Sequence, residues 1–412
     1  MEDQKIKMEL DSDLVQEIKE LFPQNTKLVI NKDLEVIRKY KITSIGDNAF
    51  NDCNEFTEIK INIDVDKIGD FAFQNCTNLI SIDIPNTVTK IGDFAFKGCK
   101  SLEKVIVGKN IEKIGDYAFE DCTNLKSIVF SNDEIRKSQK TKKSDEKEDE
   151  PKIGDSAFKN CINLQSIEIP NTVTKIGDFA FQNCTSLENV TIGISLKNIG
   201  DYAFDNCTNL KNVKFFNNEE DDISININDE KKSNSKEKTK IGDCAFRNCI
   251  NLLSIEIPDI HKIGKSAFYN CQKIQSIEIP NCVSEIKKYT FYNCEELKDI
   301  FLPQSITLIE KYSFSNCTEL ARVEIPTDCK IKKIEKYAFH NCNSLSEISD
   351  IPNTLEEIGN NAFLLCENLN INIPDSVESI GYNAFQDVKN INYDGYIEGS
   401  PWGAKSLNGE EV

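Results

Sequence analysis

The hexapeptide IGDFAF and its close variants recur along the chain at an almost constant interval. Each copy ends in a phenylalanine, and these are Phe50, Phe73, Phe96, Phe119, Phe158, Phe181, Phe204, Phe246, Phe268, Phe291, Phe314, Phe339, Phe363 and Phe385. Neighbouring copies lie 22 to 25 residues apart, except for two intervals of 39 and 42 residues. A unit this small cannot bury its own apolar face and is stable only between stacked neighbours. The chain is therefore predicted to be a solenoid that functions through a repetitive surface.

One repeat, residues 68–90, shows how each unit is expected to fold. Ile82 and Ile84 alternate with polar residues, which predicts a half-buried β-strand. In the next copy Gly92 can turn without a side-chain clash, and Asp93 is placed to cap a single helical or 3₁₀ turn. The predicted fold is a solenoid of parallel β-strands with short helical or 3₁₀ turns. It has about fourteen repeats of about 23 residues and a cap at each end.

The regions that flank the repeats are predicted to cap the solenoid, because an open end would expose a sheet edge. Residues 1–41 are interpreted as an N-terminal cap with a short helix that begins at Ser12. The apolar residues of this helix share one face, and they are Leu14, Val15, Ile18 and Leu21. Residues 42–387 form the repeat array, and residues 388–412 form a C-terminal cap and tail that Trp402 closes.

Two insertions lengthen the array at residues 131–150 and 217–239. Both are rich in charge and poor in aromatic residues, a composition that is typical of disorder. We expect solvated, dispensable loops, with paired recognition arms or modification sites as the alternative.

Thirteen of the sixteen cysteines stand three residues after a repeat phenylalanine. One cysteine per repeat at one phase predicts a buried column of free thiols, because free cysteine behaves as a small apolar side chain. This pattern is compatible with a reducing compartment. Cys244, Cys282 and Cys329 fall outside the column and are expected to be more accessible to solvent.

The formal net charge of −19 restricts the class of partner. A strongly acidic chain is a poor ligand for nucleic acid or anionic lipid, whereas basic ligands remain compatible with it. No signal core is recognisable at the N-terminus, and no apolar run approaches the ~18 residues of a membrane span. The sequence therefore predicts a cytoplasmic protein, without membrane insertion, that is a monomer.

The residue after the glycine of each hexapeptide forms a column that changes sign along the chain. The acidic members are Asp47, Asp70, Asp93, Asp116, Asp155, Asp178, Asp201 and Asp243. The basic members that follow them are Lys265, Lys288, Lys311 and Lys336. An acidic column has the ligand chemistry for calcium, but each aspartate is also placed to cap its own turn. We favour capping and expect no metal site.

The outward side of the predicted strands offers the candidate binding residues. Apolar residues stand where a solvated strand does not require them, and these are Ile106, Val129 and Phe301. Acidic residues of the same column favour a basic ligand, and these are Glu256, Glu278 and Glu324. Scattered exposed apolar residues are also common on protein surfaces, so both interpretations remain open.

Catalysis finds little support in the residue pattern. The two histidines, His261 and His340, lie in different repeats, and no zinc, phosphate-loop or nucleophile-elbow motif occurs. We therefore expect no enzymatic activity and no cofactor. An enzyme with a site in the irregular loops is the alternative from another class.

The repeat pattern LxxIxIPxxVxxIGxxAFxxCxxL resembles the BspA-like class of leucine-rich repeats over residues 42–395. Thr87 and Thr172 stand where the more familiar leucine-rich repeat has asparagine, and proline follows the strand, as in the BspA-like form. The resemblance implies a protein-binding module, in a family known chiefly as surface or secreted adhesins of host-associated microbes. We expect a non-enzymatic protein-binding module that uses its strand face, for a protein partner that the sequence does not identify. A surface antigen or adhesin exported by an unrecognised route is the alternative.

Overall fold

A computed structural model describes residues 7–21, 26–108, 110–131, 150, 152–216, 240–257, 260–349, 351–395 and 402–411. The chain divides into two compact units, Met1–Leu210 and Lys211–Val412, and each unit contains seven of the repeat phenylalanines. Each unit is a parallel-strand β-solenoid, which confirms the predicted fold class. Residues 132–149 and 217–239, where the charged insertions are predicted, lie outside the described residues.

In the first unit the coils contribute strands to two parallel ribbons. The strand ribbon consists of Thr26–Ile30, Phe56–Ile61, Ser81–Asp83, Lys104–Gly108, Ser127–Ser131, Ser166–Ile169 and Asn189–Gly193. The corner ribbon consists of Lys7–Leu10, Lys41–Ile45, Lys67–Ile68, Lys90–Ile91, Lys113–Ile114, Lys152–Ile153, Lys175–Ile176 and Asn198–Ile199. Apolar side chains of both ribbons point into the space between them.

The second unit has the same two kinds of segment, except that the coil of Glu278 contributes only an isolated bridge to Phe301. Its strand-ribbon segments are Asn212–Phe216, Ser254–Ile255, Asp299–Phe301, Arg322–Glu324, Glu347–Ile348, Asn370–Asn372, Asn390–Asn392, Ser406–Leu407 and Glu410–Glu411. Its corner-ribbon segments are Lys240–Ile241, Lys262–Ile263, Glu285–Ile286, Leu308–Ile309, Lys333–Ile334, Glu357–Ile358 and Ser379–Ile380. The two final strands pair antiparallel, so a hairpin ends the second unit.

Near the N-terminus lie two helices, Ser12–Leu21 and Glu35–Arg38. The first is capped by Asp11 rather than by Ser12 as predicted, because the Leu14 N–H donates to the Asp11 carboxylate at 3.0 Å. Its buried residues are Leu14, Val15 and Ile18. Leu21 is 59% exposed, so the predicted apolar face ends one turn earlier.

At the C-terminus Trp402 covers the last repeat phenylalanine. Its ring centroid lies 6.3 Å from that of Phe385 and 5.5 Å from that of Tyr393. Val388, which takes the place of the column cysteine in this repeat, is fully buried. The indole therefore seals the apolar end of the phenylalanine column.

The repeat phenylalanines form the centre of each core. Every one is buried, and neighbouring rings stack nearly parallel, with centroids 4.8 Å apart at Phe50–Phe73 and 5.6 Å apart at Phe268–Phe291. The repeat analysed above buries Ile68, Ala72, Phe73, Cys76, Leu79, Ile82, Ile84 and Val88. Burial of this many apolar side chains per coil is the main driving force of folding.

The segment around each repeat phenylalanine is not the helical or 3₁₀ turn that the sequence predicts. It is a tight turn with two left-handed residues, such as Phe71 with φ of 57° and Asn75 with φ of 55°. The N–H groups of Phe71, Phe73 and Asn75 donate to carbonyls of the next coil at 2.7 to 2.9 Å. In a helical turn these N–H groups would bond within their own coil. The carbonyls of the next coil would then have no hydrogen-bond donor.

The glycine and aspartate of the hexapeptide act together at the contact between coils. The Asp93 N–H donates to the Asp70 carboxylate at 2.8 Å, and the same bond joins other successive aspartates. The aspartates therefore cap the turn of the following coil, not their own turn as predicted. A Cβ on Gly92 would lie 2.4 Å from the Asp70 carboxylate, so glycine is required for close approach rather than for turning.

All sixteen cysteines are free, and fifteen of them are buried. Column thiols donate to the phenylalanine carbonyl of the preceding coil, as in Cys99 to Phe73 at 3.0 Å. Burial raises the pKa of column thiols such as Cys184 and Cys317, and desolvation with a hydrogen bond from Cys53 to the Glu55 carboxylate raises the pKa of Cys53 to about 12.

Two of the three cysteines predicted to be accessible are buried instead. Cys329 is 2% exposed, and its thiol donates to the Ile306 carbonyl at 3.2 Å. Cys244 is 9% exposed because it occupies the left-handed position of the turn, two residues before Phe246, where side chains of neighbouring coils stack. Only Cys282 is exposed.

Under native conditions a thiol reagent is expected to modify Cys282 alone, because burial shields the other fifteen thiols from the reagent. Mass mapping after a short reaction with iodoacetamide measures this, with the denatured chain as the reference for full modification. The variant Cys282→Ser should show no rapid reaction. Rapid labelling of Cys244 or Cys329 would contradict the burial described here.

Replacement of Asp155 by alanine is expected to lower the free energy of unfolding by about 1–2 kcal/mol. The substitution removes the acceptor for the Asp178 N–H, 2.9 Å away. Asp155→Asn keeps this acceptor and should cost less than about 0.5 kcal/mol, as Asn360 already performs the same task for the Tyr382 N–H. Equilibrium urea unfolding of the two variants tests this.

Equal losses in the alanine and asparagine variants would show that the carboxylate charge, not the hydrogen bond, is what the fold requires. A calcium-dependent rise in melting temperature that Asp155→Asn abolishes would instead favour metal binding by the aspartate column.

Candidate binding surfaces

On the first unit, in-register pairing lines up the outward residues of the strand ribbon. Lys60 pairs with Asp83, Asp83 with Ile106, and Ile106 with Val129. Val129 is 43% exposed, and Ile106 is half-buried. The structure thus places two of the predicted binding residues side by side.

The polar members of this row are already paired with one another. The Lys60 ammonium lies 3.3 Å from the Asp83 carboxylate, and both side chains are partly exposed. A surface ion pair of this kind contributes little to stability. The contiguous apolar part of the row is therefore Ile106 with Val129, which we call the valine–isoleucine patch.

On the second unit, the strand ribbon brings three more predicted residues together. Glu278 bridges to Phe301, and Phe301 pairs with Glu324 in register. The Phe301 ring is 50% exposed, which is unusual for so large an apolar side chain on a strand. We call this run the Phe301 surface. Glu256 is also exposed but belongs to an earlier coil, beside the strand Ser254–Ile255.

Arg322 changes the electrostatics of the Phe301 surface in a way that the sequence did not indicate. Its guanidinium lies 5.6 Å from the Phe301 ring centroid, and it contacts Glu324 at 2.8 Å and Asp299 at 3.3 Å. The charge of Glu324 is thereby partly neutralised. Among the described residues, Glu256 and Glu278 have no ion pair, so they carry the acidic character of this face.

One side-chain pair has the residue types of a catalytic dyad. The Ser315 hydroxyl and His340 Nδ1 lie 3.1 Å apart, and burial lowers the pKa of His340. Ser315 is only 1% exposed, so a substrate cannot reach its hydroxyl. In the described part of the chain, no group of three His, Cys, Asp or Glu side chains is arranged to hold a metal ion.

An aromatic column at the turns was missed by the sequence interpretation. Phe71, Phe94 and Tyr117 stack 4.9 Å apart in the first unit, each with φ near 57°. Left-handed backbone costs about 1–2 kcal/mol for such residues, which ring stacking and partial burial offset. The signal in the sequence is the aromatic residue two places before most repeat phenylalanines, a segment that the sequence pattern predicts to be a helical turn.

In three successive coils of the second unit, tyrosines occupy this column. Tyr289 and Tyr312 stack with centroids 5.0 Å apart, and Tyr312 and Tyr337 with centroids 4.8 Å apart. The neighbouring pair Tyr269 and Tyr292 stacks at 4.9 Å and meets Tyr289 edge to face. Five half-buried tyrosines therefore share one side of this unit.

In the described ranges neither helix has the length and apolar composition needed to cross a bilayer.

Comparison with known proteins agrees with the repeat geometry. The family model described as "BspA type Leucine rich repeat region (6 copies)" matches residues 43–147, 146–227, 224–345 and 327–394. A leucine-rich repeat protein from Bacteroides ovatus is 26% identical, with 92% of this chain and 91% of that chain covered and a TM-score of 0.56. A leucine rich cell surface protein from Faecalibacterium prausnitzii is 24% identical, with coverage of 80% and 89% and a TM-score of 0.36.

A search of curated proteins finds no match. The family model nevertheless covers most of the chain, and the matched residues include the coils described above. This protein belongs to the BspA-type leucine-rich repeat family.

Proposed function

We propose that this chain is a non-enzymatic protein-binding module that contacts its partner through the outward face of the strand ribbon. The observation that carries the proposal is the in-register pair Ile106 and Val129, which exposes apolar surface on a rigid sheet. Protein interfaces place such apolar groups at the centre and polar groups at the rim. Lys60, Asp83 and Lys104 supply the polar rim here.

The Phe301 surface supports the same function for the second unit. Aromatic and arginine side chains are the residue types that most often dominate binding energy at interfaces. Phe301 and Arg322 already contact each other, so little conformational entropy remains to be lost on binding. Glu256 and Glu278 favour a basic segment of the partner at this face.

The absence of catalysis is part of the proposal. The dyad-like pair Ser315 and His340 is closed to substrate, because the Ser315 side chain is buried. We propose that the chain acts as a monomer, which sedimentation velocity measures directly.

A surface adhesin or surface antigen is the second form of this proposal, and the family suggests it. An adhesin would use the same strand face, but it would bind its partner at the cell surface rather than inside the cell. Protease shaving of intact cells, followed by peptide mapping of this protein, separates a surface protein from an internal one.

Replacement of Ile106 and Val129 by threonine is expected to weaken partner binding by about 1–3 kcal/mol for each anchor while the fold remains intact. Threonine keeps the β-branched shape and removes apolar contact area. The partner is first identified by affinity capture with the intact chain and mass spectrometry. Binding of the purified partner to wild type and variant is then measured by calorimetry.

The matched control replaces Ile162 and Ile194, which are similarly exposed but lie outside the strands, with threonine. Phe301→Ser is tested in parallel for the second unit. Equal affinities for wild type and all face variants would exclude the strand face as the binding site. Losses as large in the control would indicate a general effect of surface hydrophobicity.

A further inference from the structure

The lysine column of the second unit has no counterpart in the first. Lys265, Lys288, Lys311 and Lys336 occupy successive coils at the position that aspartate fills in the first unit. Backbone bonds fix their alignment, because the Tyr289 N–H donates to the Lys311 carbonyl and the Tyr312 N–H to the Lys336 carbonyl, both at 3.3 Å. Lys265 and Lys336 are exposed, and Lys288 and Lys311 are half-buried.

The fold does not require these lysine side chains. In the first unit the aspartate carboxylates accept N–H bonds from the next coil, as described above. In the second unit Glu310 accepts the Lys288 N–H at 2.9 Å, and Glu335 accepts the Lys311 N–H at 3.0 Å. Here the residue that accepts the coil-to-coil N–H bond stands at the position of the hexapeptide glycine. The lysine side chains therefore do not perform the task that the aspartate side chains perform in the first unit.

The ammonium groups of the column are not held by ion pairs within the described residues, although the Glu310 and Glu335 carboxylates lie at the backbone of Lys288 and Lys311. The adjacent Lys287, by contrast, contacts both Glu310 and Glu285. Like charges that repeat at the spacing of stacked coils repel one another. An anionic ligand bound between the lysines would be attracted by each ammonium group and would offset their mutual repulsion.

The tyrosines described above border the lysine column. Each lysine at 288, 311 and 336 is followed directly by a tyrosine of the stack, and the Lys288 ammonium lies 4.6 Å from the Tyr289 ring centroid. Burial raises the pKa of Tyr312 and Tyr269, with neighbouring tyrosines adding to the effect, so these hydroxyls remain protonated donors. Tyrosine suits interfaces because its large ring loses little conformational entropy.

We propose that the lysine column and the five tyrosines form a docking surface for an extended acidic peptide segment of a protein partner. The lysines attract its carboxylates, and the tyrosines contribute hydroxyl donors and ring edges. This surface lies at the turns, on different residues from the strand face, and is independent of the function proposed above. It adds a basic site to a chain whose net charge is −19.

The ring geometry favours a peptide over single-stranded nucleic acid. Bases bind aromatic side chains by stacking on a free ring face. Here the rings of Tyr289, Tyr312 and Tyr337 stack on one another at interplanar angles of 21° and 6°, which leaves mainly their edges exposed. The acidic net charge also opposes a polyphosphate backbone.

The test uses a fluorescein-labelled oligoglutamate peptide and the full chain, with fluorescence anisotropy at low salt. The variant Lys288→Gln/Lys311→Gln/Lys336→Gln is expected to bind about 10-fold more weakly or worse, and added salt should weaken wild-type binding. The control Lys298→Gln/Lys330→Gln/Lys332→Gln removes the same charge elsewhere on this unit and should change affinity less than about 2-fold.

Two further variants separate charge from ring chemistry. Replacement of the same three column lysines by arginine should retain binding, whereas Tyr312→Phe keeps the stack and should weaken binding about 2- to 5-fold by removing one donor. Circular dichroism confirms that each variant is folded.

The proposal is overturned if wild type does not bind the peptide at low salt, or if both glutamine variants lose affinity equally. Tighter binding of oligodeoxythymidylate, with the same losses in the column variant, would assign the surface to nucleic acid instead.

Discussion

The close approach of successive coils is the constraint on which the rest of the structure depends. Repeat phenylalanine rings lie 4.8 to 5.6 Å apart, and the backbones of neighbouring coils bond to each other at the strands and turns alike. At this separation every inward group meets its own counterpart from the next coil. An inward position therefore accepts only a side chain that can pack against, or form a hydrogen bond with, the equivalent or adjacent residue of the next coil.

The hexapeptide satisfies this constraint with a small set of residue types. Glycine leaves room for the preceding carboxylate, aspartate accepts the next N–H, and cysteine donates to a carbonyl one coil away. Outward side chains escape the constraint and are free to vary. The valine–isoleucine patch and the Phe301 surface both arise from that freedom on the strand ribbon.

The second unit solves the same problem differently at its turns. Glutamate replaces glycine at 310 and 335, and the coil-to-coil bonds of Tyr289 and Tyr312 lengthen to 3.3 Å, compared with 2.9 Å at Phe71 and Phe94. Because glutamate accepts the coil-to-coil N–H bond, the residue that follows it no longer has to supply the acceptor. Lysines occupy that position, next to stacked tyrosines, and this combination distinguishes the two units chemically.

The sequence by itself determined the repeat length, the parallel strands and the buried thiol column, because these follow from periodic burial. It also placed Ile106, Val129 and Phe301 on the outward face. Only the tertiary structure decided that the turns are left-handed, that Asp70 caps the next coil, that Cys244 and Cys329 are buried, and that Arg322 neutralises Glu324. The left-handed turns, the Asp70 cap and the buried cysteines depend on contacts with coils about 23 residues or more away in the chain. The Arg322–Glu324 ion pair depends on the side-chain conformations of two residues of one strand. Local periodicity specifies neither.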